Sequence, residues 1–305
     1  MISIIIIVKN DRGIENTLIS LKKVKKPEKT EIIIVDASEG NLDDIKKKFP
    51  SVRWIYFHNE TNKKITIPEQ RNLGIKKAKG DIIVFIDANC IPKNNWLIEL
   101  TKPIIYRGEN IVAGVVKSKD KSIYDRSFGN TKKSKYIEEC PTINLALRKK
   151  VFEKNGNFDT NFNYGSDVDF SWRARDLGYN IRHAPKAVIS HDWGNLKQEI
   201  KRAFMYGEAR VRLYKKHPSQ IWRLFNYNED LFTLYSLLFF SYIVSLIPIS
   251  FFWYYYPLLL LIPLIKNIRS KPFKKLVFDF FWGPGVLKEL FFPSKINNLK
   301  NDPQK

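Results

Sequence analysis

Apolar residues in the first half of the chain fall in short unbroken runs, each followed by a polar turn and then by a stretch with helical spacing. Ile2–Val8 is the first run, closed by the polar residues 9–13. Ile14, Leu18 and Leu21 then recur at the spacing of one helix face over residues 14–24. A second run, residues 31–35, stops at Asp36-Ala37-Ser38-Glu39-Gly40, and a short helix over 42–49 and a third strand over 52–57 follow. Pro68 suits a first helical turn. Residues 72–79 carry that helix, and Gly80 is expected to end it, with Lys76, Lys77 and Lys79 where the helix dipole favours cations. Ile82–Ile86 is β-branched-rich and apolar throughout, as in a strand buried on both faces, and it ends in Asp87-Ala88-Asn89. This alternation predicts an α/β fold with a mostly parallel sheet covered by helices on both faces. Ligands of such sheets bind at the carboxyl ends of the strands, which singles out Asp36, Asp87 and Asn89.

Charge narrows the partners. The 305 residues carry 52 Lys and Arg against 31 Asp and Glu, a formal net charge of +21, which implies an anionic partner such as a phosphorylated substrate, a membrane surface or nucleic acid. Two cysteines, Cys90 and Cys140, make neither a disulfide framework nor a metal cluster, in keeping with a reducing, cytoplasm-facing compartment. The apolar start lacks a basic n-region and a small-residue cleavage site, and reads as a strand rather than a signal peptide. No G-x-G-x-x-G follows the first strands and no G-x-x-x-x-G-K-[ST] occurs, so neither a dinucleotide fingerprint nor a P-loop is supported. Asp36 past a buried strand could accept hydrogen bonds from a base or ribose, or simply cap a turn. Asp87 and Asn89, at i and i+2, can point the same way at a hard cation.

The segments IIIIVKND, IIIVDASEG, QRNLGIKKAKGDIIVFIDAN and NYGSDVDFSWRARDLGYNI, in that order and at that spacing, resemble the family 2 glycosyltransferases of the GT-A fold over residues 2–191. The resemblance implies that Asp36 contacts the nucleoside and that Arg71 approaches the nucleotide or sugar. It places Asp87 and Asn89 in a D-x-D metal motif, with an amide where the family has its second acid, so Mn²⁺ or Mg²⁺ would lean on the diphosphate for anchoring. Asp167 would be the base that deprotonates an acceptor hydroxyl opposite the leaving diphosphate, although Ser166 replaces the Glu of the family's Glu-Asp pair. Asp169 and Asn144 would lie on the acceptor side. Asp169 could orient Arg173, and Asn144 could equally be a core amide. His191 would be a third metal ligand, with Asp192 either orienting it or capping the next helix.

Between these segments, residues 96–100 continue a helix, residues 111–116 form a strand, and the basic residues 117–135 read as a solvated loop. Residues 196–214 form a basic helix interleaved with aromatics. No RNP, helix-turn-helix or zinc pattern accompanies it, so a helix at a membrane surface, or one closing over the diphosphate, fits better than nucleic acid. Residues 231–265 then contain no charged residue, are interrupted by Pro248, Pro257 and Pro263, and carry FFWYYY at their centre. Arg223 lies before it and Lys266, Arg269, Lys271, Lys274 and Lys275 after it, favouring a hairpin with both ends cytoplasmic; a re-entrant hairpin, one span plus an interfacial segment, or a buried core stays open. Residues 273–292 form an aromatic-rich tail broken by Gly283-Pro284-Gly285.

The sequence thus reads as a catalytic domain over residues 1–220 and a membrane-associated segment over 221–305. The expected activity is inverting transfer of a sugar from a UDP- or GDP-sugar to a glycan or glycolipid hydroxyl at the cell membrane, facing the cytoplasm. A polyprenyl-phosphate acceptor is the alternative within the class. A membrane scaffold that keeps the fold without activity is the alternative outside it.

Overall fold

The computed structural model describes residues 1–58, 65–119, 134–223 and 272–294. The chain divides into two compact units, Met1–Trp193 and Gly194–Lys305, so the division falls ahead of the basic helix rather than after it.

In the first unit, β1 (Ile2–Val8), α1 (Ile14–Lys23), β2 (Thr30–Asp36), α2 (Asp43–Lys48), β3 (Arg53–Tyr56), α3 (Ile67–Lys77) and β4 (Ile82–Ile86) follow one another as the apolar pattern predicts. Then come β5 (Cys90–Pro92), α4 (Trp96–Arg107), β6 (Ile111–Ser118), β7 (Tyr136–Ile137), β8 (Asn144–Arg148), α5 (Lys150–Asn155), α6 (Ser166–Asp176) and β9 (Ile181–His191). Their strands form one sheet in the order β3-β2-β1-β4-β8-β6-β9-β5, with β7 also on β9. Side chains on successive strand residues enter opposite cores, which is why the strand sequences are apolar throughout. Ile4 and Ile6 join Leu18, Trp96 and Leu97 on one face. Ile5 joins Ile33, Phe85, Phe158 and Phe170 on the other.

The sheet is mixed rather than mostly parallel. β1 pairs in parallel with β2 and β4, β2 with β3, and β6 with β9. β8, however, lies antiparallel between β4 and β6, and β5 and β7 run antiparallel to β9. Strand–helix alternation in the sequence foretells the direction of each strand after a crossover helix. It does not foretell that a later strand, β8, will insert between two earlier ones.

Two local expectations are also corrected. α3 begins at Ile67, earlier than expected, because Thr66 and Glu69 form a reciprocal capping box that satisfies the first free amides. Gly80 does not cap the helix. The helix stops at Lys77 with Ala78 extended, and the Gly80 amide donates to Ser3 Oγ at 2.8 Å. A Cβ at Gly80 would lie 2.7 Å from the Met1 carbonyl, so the glycine is required by close approach to β1. Of the expected basic loop, residues 117 and 118 complete β6, and residues 120–133 lie outside the described residues.

In the second unit, α7 (Leu196–Lys216) is capped by Asn195 and Gln198, ends near a 3₁₀ turn (Pro218–Gln220), and packs on α8 (Pro272–Phe291). The aromatic tail is therefore helical in spite of Pro284. No helix among the described residues is long and apolar enough to cross a membrane, and the uncharged residues 231–265 lie outside them.

Candidate functional site

Parallel register brings the ends of β1, β2 and β4 to one edge, with Val8 opposite Asp36 and Asp36 opposite Tyr56. The turns beyond these three strands each hold a non-glycine residue with positive φ: Asn10 at 55°, Glu39 at 51° and Asn89 at 59°. Asn tolerates this left-handed region because its short side chain bonds locally, whereas Glu39 sits there against its preference. Hydrogen bonds tie the turns together. The Asn10 amide donates to Ser38 Oγ at 2.7 Å, and Asn41 Nδ2 to Asn10 Oδ1 at 2.8 Å. Asp36 is buried, and its Oδ1 accepts the Ser38 amide at 2.9 Å, so one carboxylate oxygen is already used to hold the turn.

Asp87 stands at the end of β4 with its side chain 35% exposed. Arg71, on α3, is buried and places Nη2 3.7 Å from Asp87 Oδ1. The guanidinium lies over the Phe158 ring at 5.8 Å. Phe158 is packed against Phe85, Phe152 and Phe170, and Asn72 clamps its backbone from both sides, at 2.8 and 3.1 Å. The fixed direction of Arg71 therefore comes from an aromatic cluster beneath it.

His191 ends β9 directly opposite Cys90, one residue beyond Asn89. Cys90 Sγ lies 3.4 Å from His191 Nδ1, and the ring stands edge-on to Trp193 at 4.5 Å. Burial pushes the Cys90 thiol well up, helped by the Asp87 and Asp11 carboxylates. Among the described residues no three His, Cys, Asp or Glu side chains are grouped to hold a metal. The donor set at the tip is thus one carboxylate, Asp87, and one amide, Asn89. These hard donors fit Mn²⁺ or Mg²⁺ when a ligand brings further oxygens, with His191 held across the strand pair. Sequence reasoning missed Asp11. A Cβ on Gly13 would lie 2.6 Å from Asn89 Cβ and 2.9 Å from Asp11 Oδ1, which puts the carboxylate of the β1–α1 turn beside the Asn89 turn. Its signal was its place just past a buried strand, the same signal that drew attention to Asp36.

Asp167 lies in the first turn of α6, behind Gly165 with φ 83°. It is half-buried, and its Oδ1 accepts the Val168 amide at 3.0 Å. Burial raises its pKa above the usual carboxylate value, and the nearby Arg71 charge partly pulls it back. Arg71 therefore acts on both carboxylates, Asp87 directly and Asp167 through space.

Two expected acceptor-side residues have other duties. Asn144 is 1% exposed: its amide donates to the carbonyls of Val115 and Ala187, both at 2.9 Å, and its Oδ1 accepts Trp96 Nε1 at 2.8 Å. With both amide hydrogens and its carbonyl engaged, it braces the irregular β6–β9 pairing at Gly114/Val115 rather than facing an acceptor. Asp169 is fully buried and accepts from Arg173 Nε at 3.0 Å and Nη2 at 2.9 Å. Arg173 continues to the carbonyls of Asn155 and Asn157, so Asp169 orients Arg173 and locks α6 to the end of α5.

Residues 3–172 match the domain described as Glycosyl transferase family 2, which spans β1 to α6 and every site residue named above except His191. The chain belongs to glycosyl transferase family 2. It is a glycosyltransferase of the α/β GT-A type with a mixed sheet. It is 26% identical over 243 residues to glycosyltransferase AglE of Haloferax volcanii, covering 73% of this chain and 77% of that one. It is also 26% identical over 165 residues to the pre-mycofactocin glycosyltransferase of Mycobacterium tuberculosis, covering 49% of this chain but 35% of that longer protein. Among solved structures, the mannosyltransferase PcManGT from Pyrobaculum calidifontis, in complex with GDP-Man and Mn²⁺, superposes with a TM-score of 0.71 at 15% identity. That alignment covers 95% of this chain and 87% of that one, a likeness of fold.

Proposed function

We propose that this family 2 glycosyltransferase moves a sugar from a nucleoside-diphosphate donor, GDP- or UDP-linked, to a hydroxyl of a glycan or glycolipid, with inversion. The observation that carries the reading is the placement of Arg71 between two carboxylates of different character, the half-exposed Asp87 and the half-buried Asp167 with its raised pKa. The family membership supports nucleotide-sugar chemistry, and the mannosyltransferase complex with GDP-Man and Mn²⁺ makes a guanosine donor the first to try.

In this reading the free oxygen of Asp36 receives the nucleoside, and the Arg71 guanidinium faces the diphosphate. Asp87, Asn89 and His191 would hold a divalent cation, which would supply charge stabilisation for the departing diphosphate. Asp167 takes the proton from the acceptor hydroxyl as its oxygen attacks the anomeric carbon. A carboxyl with a raised pKa suits that task, because a stronger base accepts a proton from a hydroxyl more readily. The same group disfavours a phosphate acceptor, which is already anionic, needs no base and would be repelled by the carboxylate.

Attachment to the cell membrane through residues 231–265, with the catalytic unit facing the cytoplasm, completes the proposal. It is supported by the absence of charge in that stretch and by the five Lys and Arg between residues 266 and 275 that follow it. The test is a thermal-shift panel of UDP, GDP, CMP and their sugars, each with and without Mn²⁺, followed by turnover of the donor that binds. A donor that binds the native state raises its stability as RT ln(1 + [L]/Kd). Transfer that persists in full in Asp167→Asn would sink the assignment of the base.

A further inference from the structure

β9 leaves its ladder with β6 once. Gly114 pairs with Ala184 and Val115 with Val188, so Pro185, Lys186 and Ala187 bulge out between the two pairs. The bulge has a fixed shape. Buried Asn144 donates to the carbonyls of Val115 and Ala187, and a Cβ on Gly114 would collide with Asn144 Nδ2 and the Ala187 carbonyl. On the other side of β9, the Lys93 amide donates to the Val188 carbonyl at 3.0 Å. Lys93, Val188 and Val115 thus stand in a row across three neighbouring segments and line a pocket of about 370 Å³.

Val115 and Val188 are buried and make its floor. Lys186 joins them from the bulge, Lys117 from two residues farther along β6, and Asn95 from the N-cap of α4, where its side chain makes no capping bond. No acid lines the pocket. The three lysines are exposed, and none has a side-chain hydrogen bond or ion pair among the described residues. Like charges around one cavity repel one another, and an anion between them removes that repulsion. The start of the 12-residue α4 adds the positive end of its dipole. A carboxylate brings one charge, whereas a phosphate monoester brings about two and several acceptor oxygens, the better match to three point-charge ammonium groups. The pocket has the volume of a small-ligand site, and Pro185 with the two valines offers an apolar wall to a carbon skeleton.

We infer that this pocket binds a phosphate group, at a site separate from that of the donor diphosphate. Among the described residues no bond joins its lysines to Asp36, Arg71, Asp87 or Asn89. It is nevertheless close to the strand tips. Lys117 pairs with Ser190, next to His191, and the three residues from Val188 to His191 span about 10 Å. The phosphate arrives either on the acceptor, away from the attacking hydroxyl, or on a small free compound. Only that choice rests on the proposed glycosyl transfer; the binding does not.

Full-length protein is acetylated with a limiting amine-reactive ester, and each lysine is followed by mass spectrometry, with the exposed Lys102 of α4 as reference. Sodium pyrophosphate and glucose 6-phosphate are each expected to slow acetylation of Lys93, Lys117 and Lys186 several-fold, leaving Lys102 unchanged, while glucose does nothing. Pocket lysines that react as fast with both phosphates as without them would overturn the inference, as would equal protection of Lys102. In the variant Lys117→Gln/Lys186→Gln, at two exposed positions, protection of Lys93 should disappear; protection that survives there would also overturn it. Kinetics then separates the sources. A phosphate on the acceptor predicts that the variant raises KM several-fold for a phosphorylated glycan and not for its neutral counterpart, with kcat and donor KM unchanged. A free phosphate compound predicts unchanged acceptor KM and, at saturating donor, a rate that responds to pyrophosphate in the parent and not in the variant. Protection of the three lysines in a protein that transfers no sugar would remove the proposed function and keep the phosphate site.

Discussion

Along β1, β2 and β4 the proposed donor-binding side chains arrive by strand register, whereas Asp167 arrives by the first turn of a helix locked from below. The first arrangement tolerates local change, because each strand end is fixed by a ladder of backbone bonds and two packed faces. The second depends on a few side chains. α6 is held by Asp169 with Arg173 and by Phe170 in the aromatic cluster, and the same cluster supports Arg71. The proposed site would thus separate two duties: a pre-shaped edge for binding, and one carboxylate whose proton affinity is set by its surroundings.

The sharpest way to break this division is Asp167→Asn. Loss of a general base typically costs about 10² to 10⁴ in rate, so kcat should fall by that factor while donor affinity, read by thermal shift, stays unchanged. The same variant should be more stable than the parent at pH 8. A carboxyl with a raised folded pKa binds its proton more tightly in the native state, so its contribution to stability falls as pH rises from the unfolded to the folded pKa. Melting curves of the two proteins should therefore converge below the unfolded pKa, separate as pH rises to the folded one, and stay apart by a constant amount above it. A variant less stable at pH 8 would argue against a destabilised carboxylate.

Phe158→Ala tests the shared support. Truncating a buried Phe costs about 3–5 kcal/mol, and here it would also loosen Arg71. The expected result is a large loss in urea stability together with weaker binding of nucleoside diphosphate. Loss of stability with unchanged nucleotide affinity would show that Arg71 holds its place without the ring.

Asn144→Ala leaves three buried partners without a bond, at about 1–3 kcal/mol each, so the drop in its unfolding midpoint should be at least as large as that of Phe158→Ala. The acceptor KM should not change. A raised KM with wild-type stability would return Asn144 to the acceptor side.

How much of this was readable in the chain follows the same division. The strand edge that carries Asp36 and Asp87 was legible because a buried strand ending in an acid is a local pattern, and β2 and β4 each show it. Arg71 was reached by resemblance alone, since nothing near it in sequence says that Phe158, 87 residues on, lies under its guanidinium. Asn144 could not be told from a contact residue, because its partners Trp96, Val115 and Ala187 come from three separate elements. The insertion of β8 between β4 and β6 was invisible for a related reason. Apolar alternation reports that a strand is buried, not which strands it lies between.

The smallest expected effect concerns Asn89 and asks whether the donor edge is complete without a second acid. Asn89→Asp restores a charge beside Asp87 and near Asp11 while keeping a residue type that tolerates φ near 59°. Without a cation the added repulsion should lower stability slightly. With Mn²⁺ the extra carboxylate should strengthen cation binding by about 1 kcal/mol, the scale for an ion pair open to solvent, or a few-fold in Kd. Calorimetric titration of Mn²⁺ into parent and variant, with and without GDP, separates the contributions. If the gain appears without GDP and shrinks with it, the diphosphate supplies in the parent what the amide lacks. If Mn²⁺ binds neither protein in the presence of GDP, Asp87 and Asn89 belong to direct recognition of the donor, and the cation leaves the account.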